Sequence, residues 1–346
     1  MPENYNFFRS WIEKIWYTPS PRGRYRFFIY LLWPLAKLTE IITRRRYQTF
    51  SKKKQAISAP VPVIIVGNIT VGGTGKTPLV IALAQRLLAE GYFPGVISRG
   101  YGAQALSYPI QVSSNSTAQQ VGDEPLLISQ QAQVPVVVDP LRVRAWQFLL
   151  QKNPSVNVII SDDGLQHYAL ARDLEIVVVD AVRGWGNGLC LPAGPLRESL
   201  DRLNTIDFLV VNGESGKVFT ENQIPMQLLT NGFYSVKTNQ PIALESLRDK
   251  RCTAVAGIGH PQRFFNSLHD QCLNMEPFIF PDHHAYCAAD FSDFVADRPV
   301  IMTEKDAVKC RAFAQDNWVY LKVSAQLPES FWQRVLGQLN NNLSHN

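Results

Sequence analysis

Cysteine is scarce in this 346-residue chain, and what there is cannot form a framework. The five cysteines, Cys190, Cys252, Cys272, Cys287 and Cys310, are odd in number, far apart and without a CxxC pair. That spacing argues against a disulfide scaffold and a structural zinc site, and for free thiols in a reducing cytosol. Charge is also modest: 18% of residues are charged against 46% hydrophobic, a balance that excludes a disordered chain and supports a sizeable core. No repeat of fixed period and no low-complexity segment interrupts it.

Acidic residues are nearly missing from the first 60 positions. Twelve Lys or Arg face three acids there, a charge of +9, which leaves −4 for the rest of a chain whose total is +5. Within this arm, Phe27 to Ala36 form an apolar block between basic flanks. The block is about half the ~20 residues that a membrane-spanning helix needs, and Pro34 interrupts it. No small-residue cleavage site follows, so a secretory signal fits poorly. The pattern points to a helix lying in a membrane interface, apolar side chains in the acyl boundary and Arg and Lys at anionic head groups. Packing on the core, or a basic stretch for nucleic acid, are the other readings, and the wide apolar block disfavours nucleic acid.

Beyond a polar linker, "KKKQAISAP", short Val- and Ile-rich runs alternate with helix-like stretches. Strands buried on both faces read as such unbroken runs, and the order predicts an α/β fold with a doubly wound, mostly parallel sheet. The rhythm changes near residue 235. We therefore expect an arm over residues 1–55, a nucleotide-binding core over 56–238 and a smaller α/β lobe over 239–346.

A phosphate-binding loop follows the first long strand run, yet one glycine is out of place. The usual pattern asks for Gly, four residues, then Gly-Lys-Ser/Thr, and counting back from Gly75-Lys76-Thr77 reaches Thr70. The loop Thr70, Val71, Gly72, Gly73, Thr74, Gly75 still provides backbone N–H groups at a helix N-terminus, with Gly67 or Gly72 expected to make its entering bend. Lys76 would reach the β- and γ-phosphates of ATP and Thr77 would hold Mg²⁺.

A second anchor for the cation is expected at a strand end. "VNVIISDDGLQH" offers Asp162 and Asp163, with Asp139 and Asp180 as rivals, Asp139 reading better as a helix cap. In "VGDEPLL", Asp123 reads either as the cap of a helix starting at Glu124-Pro125 or as a base for an attacking hydroxyl. The pair His283 and His284, beside Asp282, suits the tuning of a carboxylate better than a metal, whereas His260 and His269 read as structural. The long Gly/Pro-rich loop "DAVRGWGNGLCLPAGPLRES" carries Arg197, suited to phosphates, and Glu198, suited to a metal.

Together "GNITVGGTGKTP", "SRGYG", "VGDEP", "DDGLQH", "GNGLCLPAGPLRE", "PDHHAY" and "TEKDAVK", in this order from about Arg22 to about Lys309, resemble the tetraacyldisaccharide 4′-kinase family. The loop with Thr70 looks like that family's own form. The resemblance implies a P-loop NTPase-like fold and a peripheral enzyme on the cytoplasmic face of the bacterial inner membrane. It implies transfer from ATP, with Mg²⁺, to the 4′-hydroxyl of a tetraacylated disaccharide 1-phosphate in lipid A synthesis. It also implies Asp123 as general base with help from His283, the register within the histidine pair being ambiguous. Lys76 and Arg197 are implied at the phosphates, and Thr77, Asp162, Asp163 and Glu198 near the metal. The expected partners are the glycolipid and a membrane surface, with no nucleic acid and no obligate protein. A membrane-associated P-loop switch is the alternative, although "TEKD" lacks the spacing of a guanine-reading motif; a cytosolic small-molecule kinase is a third.

Overall fold

The computed structural model describes residues 11–18, 24–52, 56–214, 216 and 218–343. Of the arm, residues 1–10, 19–23 and 53–55 lie outside the described residues, and with them Arg9, Arg22, Lys53 and Lys54. Two compact units interleave along the chain. One comprises Met1–Lys76, Asp163–Gln227 and Leu327–Asn346, the other Thr77–Asp162 and Leu228–Gln326. The chain passes from one unit to the other after Lys76, between the twin aspartates Asp162 and Asp163, after Gln227 and after Gln326.

In the first unit the runs VIIVG, LEIVVVD and FLVVN form the strands Val63–Gly67, Leu174–Asp180 and Phe208–Asn212, every residue of them buried. All pair in parallel: Ile64 opposite Leu174, Ile176 opposite Phe208, and Val210 opposite Ile224 at the start of the next strand. β-branched residues suit this setting because both faces of each strand are covered. The helix Glu329–Leu343 supplies part of the cover, setting Phe331 edge-on against Phe208 at 5.3 Å between ring centroids.

Besides helical residues 11–17, the arm contains a 29-residue helix, Arg24–Lys52, with Pro34 inside it. Its two faces differ. One packs on the unit: Phe28 meets Trp11 at 4.8 Å, Ala36 is buried, and Tyr47 meets Tyr168 at 5.5 Å. The other carries Phe27, Tyr30, Leu31, Trp33, Leu35, Leu38, Ile41 and Ile42, each between 46% and 65% exposed. Most recur at intervals of three and four residues, so they line one side of the helix. Core packing therefore accounts for only half of this helix. Arg44, Arg45 and Arg46 follow, also exposed. Among the described residues no helix is long and apolar enough to cross a membrane.

The second unit contains two strand groups. Pro94–Ser98 lies between Val158–Asp162 and Val136–Val138, parallel to both, with Ile110–Gln111 antiparallel at the edge. Cys252–Ala256 lies between Met275–Ile279 and Val300–Thr303, and Val300–Thr303 pairs with Trp318–Gln326, all in parallel. Alternate residues of these strands face opposite ways. Ala254, Ile301 and Val319 pack with Phe264, Phe265 and Leu268 of the helix Pro261–Asp270. Val255, Met302 and Tyr320 pack with Tyr286 and Phe291 on the other side. The chain is thus α/β with a mostly parallel sheet, as its sequence rhythm predicts, and the helices Asp123–Ala132 and Glu304–Cys310 pack together within this unit.

Candidate active site

The phosphate loop turns on two glycines, and neither stands at position 70. Thr70 is buried and extended, bridged antiparallel to Leu196, so it has no need of glycine's freedom. Gly72 takes the left-handed conformation, φ 95°, that bends the loop. Gly67 is required for closeness instead, because a Cβ there would stand 2.5 Å from the Cβ of Leu165. The segment after the cis bond Leu191–Pro192 clamps the loop: Val71 N donates to Pro195 O at 2.9 Å, and Arg197 N to Ile69 O at 2.7 Å. Asn212 Nδ2 donates to Thr74 O at 3.0 Å, beneath Gly75, where a Cβ would collide with the same amide. The buried Thr74 Oγ1 and Asn68 Oδ1 have no hydrogen-bond partner. The left-handed Gly72 and Gly75, the unpaired hydroxyl of Thr74 and a lysine at a helix start together form a donor set that fits a triphosphate.

Lys76 begins the helix Lys76–Ala89, and its Nζ lies 3.4 Å from Asp163 Oδ1. Arg197 Nη1 donates to both oxygens of Asp163, at 3.2 and 3.1 Å. Asp163 itself is left-handed, φ 48°. Burial would raise its pKa, but Lys76 and Arg197 outweigh it and hold the carboxyl far below the usual range. Asp163 is thus the shared counter-ion of Lys76 and Arg197. Glu198 is buried in another network: Gln166 Nε2 donates to it at 2.7 Å, Tyr168 OH donates a short bond, and Arg202 Nε stands at 3.6 Å. Burial, then the Glu198 charge, pushes the Tyr168 hydroxyl pKa up. Gln166 also donates to Asn68 O at 3.1 Å, which joins this network to the phosphate loop.

In the second unit, Thr77 is the second residue of its helix, and Asp162 ends its strand, buried and accepting from Ser98 Oγ at 3.0 Å. The rivals are held by local bonds. Asp139 accepts from Leu141 N at 2.8 Å and pairs with Arg144, while Asp180, in the first unit, accepts from Val182 N and Arg183 N, each at 2.9 Å. Asp139 therefore closes a turn before the helix Arg142–Lys152, close to the cap expected of it. Among the described residues no group of three or more His, Cys, Asp or Glu could alone hold a metal.

Asp123 opens the helix Asp123–Ala132 behind Gly122, whose φ of 91° brings the chain within 3.3 Å of Gly100 and Tyr101 around any Cβ. One carboxylate oxygen accepts from the neighbouring Glu124 N at 2.9 Å, and both face His283 Nδ1 at 3.2 and 3.1 Å. The capping reading of Asp123 does not hold, because the N-cap of this helix is Gly122 and no side chain caps it. The histidine register follows as well: His283, left-handed at φ 59°, meets Asp123, whereas His284 Nε2 meets Asp290 at 3.0 Å and stacks on Phe280. Lys305 Nζ lies 2.8 Å from Glu124 and 3.8 Å from Asp123, and Lys309 Nζ lies 3.9 Å from Asp123. Burial would raise the Asp123 pKa, but the His283 bond and the two lysines bring it down to about 2. Burial opposes the charge of His283, yet Asp123 leaves its pKa above the ordinary 6.5.

Lys305, Lys309 and Glu124 were not singled out from the sequence, and neither were Gln166, Tyr168 and Asn212. For the lysines a signal existed: "TEKDAVK" places them four residues apart, on one face of a helix. Asn212 ends an ordinary-looking apolar strand and carries none.

The profile of the tetraacyldisaccharide-1-P 4′-kinase family matches residues 28–340. The chain is 47% identical to tetraacyldisaccharide 4′-kinase of Vibrio cholerae over 334 residues, covering 95% of this chain and 96% of the relative. It is 48% identical to that of Shewanella denitrificans over 335 residues, covering 96% and 97%. A solved structure of LpxK from Aquifex aeolicus in complex with ATP superposes with a TM-score of 0.74 at 27% identity, covering 90% of this chain and 99% of that one.

Thr70→Gly, which would restore the usual glycine spacing, is predicted to lower stability by about 0.5–1 kcal/mol without tightening ATP binding. Thermal unfolding and a nucleotide titration measure both. Tighter binding with unchanged stability would contradict the assignment of the bend to Gly72.

Proposed function

The chain belongs to the tetraacyldisaccharide 4′-kinase family, and we propose how its residues carry out the ATP-dependent phosphorylation of the 4′-hydroxyl of tetraacyldisaccharide 1-phosphate. The loop from Thr70 to Gly75 and Lys76 hold the phosphates of ATP. Arg197 and Lys76 exchange Asp163 for the transferring group, whose spreading negative charge they neutralise. Thr77 with Asp162 would hold Mg²⁺, which when bound neutralises phosphate charge, while Asp163 and Glu198, also expected near the metal, are committed to Lys76 and Arg197 and to Gln166 and Tyr168. Asp123 takes the hydroxyl proton as the sugar oxygen bonds to the γ-phosphorus and the bond to the bridging oxygen of ADP breaks. The contact between Asp123 and His283 carries this reading, since a buried carboxylate at a helix start needs no such partner for capping alone.

The arm supports a membrane-surface reading. Its apolar stripe is exposed beside three arginines, the arrangement of a helix lying in the interface. We place the enzyme on a bilayer surface, the cytoplasmic face of the inner membrane being where anionic lipid and ATP are both available.

Incubation with labelled ATP, Mg²⁺ and detergent-dispersed tetraacyldisaccharide 1-phosphate tests the activity: label is expected on the lipid, and phosphate release without it would favour a nucleotide switch. The sign of the pH dependence follows from His283. Its pKa is raised, so it remains charged past pH 6.5 and weakens Asp123 as a base; turnover should climb over an interval above 6.5 as the imidazolium loses its proton. The ion pair's contribution to stability, present below the unfolded histidine's pKa, is lost over the same rise. His283→Gln should flatten that limb and cost about 10²-fold or more in turnover; an unaltered limb would assign it elsewhere. Replacing Phe27, Leu31 and Leu35 by Ser should leave the melting temperature nearly unchanged, because these side chains are exposed, yet weaken sedimentation with anionic vesicles at least about tenfold. Unchanged sedimentation would remove the arm from membrane contact.

A further inference from the structure

Lys305 stands beside both members of the Asp123–His283 pair, 3.8 Å from Asp123 Oδ2. Its Nζ is 3.3 Å from His283 Nε2, while His283 Nδ1 is 3.1 Å from Asp123 Oδ2. An ammonium has only protons to give, so this contact is a hydrogen bond only when Nε2 is bare. Then the ring proton sits on Nδ1 and is donated to Asp123. The imidazolium, by contrast, would point Nε2–H at a cation.

Lys305 is held where it is by three acids: Glu124 at 2.8 Å, Asp123 at 3.8 Å and Asp282 at 3.9 Å. These charges more than offset burial and keep it an ammonium. The helix Glu304–Cys310 that carries it starts with a firm cap, Thr303 Oγ1 accepting from Asp306 N at 3.1 Å. From the remaining sides His283 meets the ring of Tyr101 at 4.9 Å between centroids, and Asp282 Oδ1 lies 3.9 Å from Nε2. Lys309, like Lys305, lies near Asp123, 3.9 Å from Oδ2. Among the described residues Asp282 is the acid near Nε2, at 3.9 Å, and Lys305 stands closer to that nitrogen, at 3.3 Å.

We infer that Lys305 is a positioning residue: it fixes His283 as the Nδ1–H tautomer, so that the imidazole serves Asp123 as an oriented donor and cannot relay the substrate's proton through Nε2. This rests on the reading of Asp123 as the base and adds the means by which its partner is held. A second consequence is that Lys305 opposes the charged form of His283 and so keeps the active, neutral ring available at lower pH.

The test uses the full-length protein with ¹⁵N-labelled histidine, the His283 signals among the six histidines being assigned by their loss in His283→Gln. Above the ascending limb of activity, His283 is expected with protonated Nδ1 and bare Nε2. In Lys305→Met the limb should move to higher pH, by about one unit, so turnover falls about tenfold on its acid side and recovers on its alkaline side. Lys305→Arg should hold the limb near its original place. A protonated Nε2 in the wild-type protein, or a loss in Lys305→Met equal at every pH, would overturn the proposal. Should Lys305→Met fail to fold, the wild-type tautomer decides alone. An Asp123→Asn variant with near-normal turnover would remove the base and leave the tautomer result standing, so the two failures are told apart.

Discussion

A carboxylate taken out of water must find positive charge or hydrogen-bond donors nearby, and this requirement organises both clusters in the protein. Asp123 is 5% exposed and surrounded by His283, Lys305 and Lys309. Unpaired, it would take up a proton and be useless as a base. The lysines keep it ionised, and in turn need Glu124, Asp282 and Asp306 to justify their own burial. The result is an alternating array of charges in which no member can be neutralised without leaving its neighbours unmatched. Such an array is rigid, and rigidity is what a group that must meet one hydroxyl requires.

The same rule explains the phosphate loop. Lys76 and Arg197 are brought together, which would be costly without an anion between them, and Asp163 serves as one. In the proposed reaction, phosphate replaces this protein carboxylate. Clamping of the loop by Pro195 and Arg197 backbone atoms ties these charges to the phosphate turn itself. The buried Glu198 network reaches that turn through Gln166 and Asn68, and meets the arm helix where Arg202 lies 4.5 Å over Tyr47.

Much of this was legible in the sequence, and for identifiable reasons. Strands such as LEIVVVD are readable because burial on both faces leaves an unbroken β-branched run. Lys76 and Thr77 follow from a motif whose mechanism is local to strand, turn and helix. Thr70 raised a real question that sequence could only narrow, because whether a residue needs φ near 90° is set by its partner strand, here Leu196. The His283–His284 pair could not be parted either: adjacent side chains diverge according to backbone angles that no residue type dictates. Lys305 and Lys309 went unassigned because charges on a short helix look solvated until the acids opposite them, far away in sequence, are known. Compact units built from interleaved stretches leave no linear mark at all.

The central claim is that Asp123 acts on the proton of the attacking hydroxyl rather than on the fold or the nucleotide. Single-turnover transfer from pre-bound ATP to the glycolipid by Asp123→Asn, alongside an ATP-binding isotherm of the same protein, addresses it most directly. The account predicts nucleotide affinity within about twofold of wild type and a transfer rate lower by about 10²–10⁴. Transfer at near the wild-type rate, or a loss explained entirely by weaker ATP binding, would contradict it.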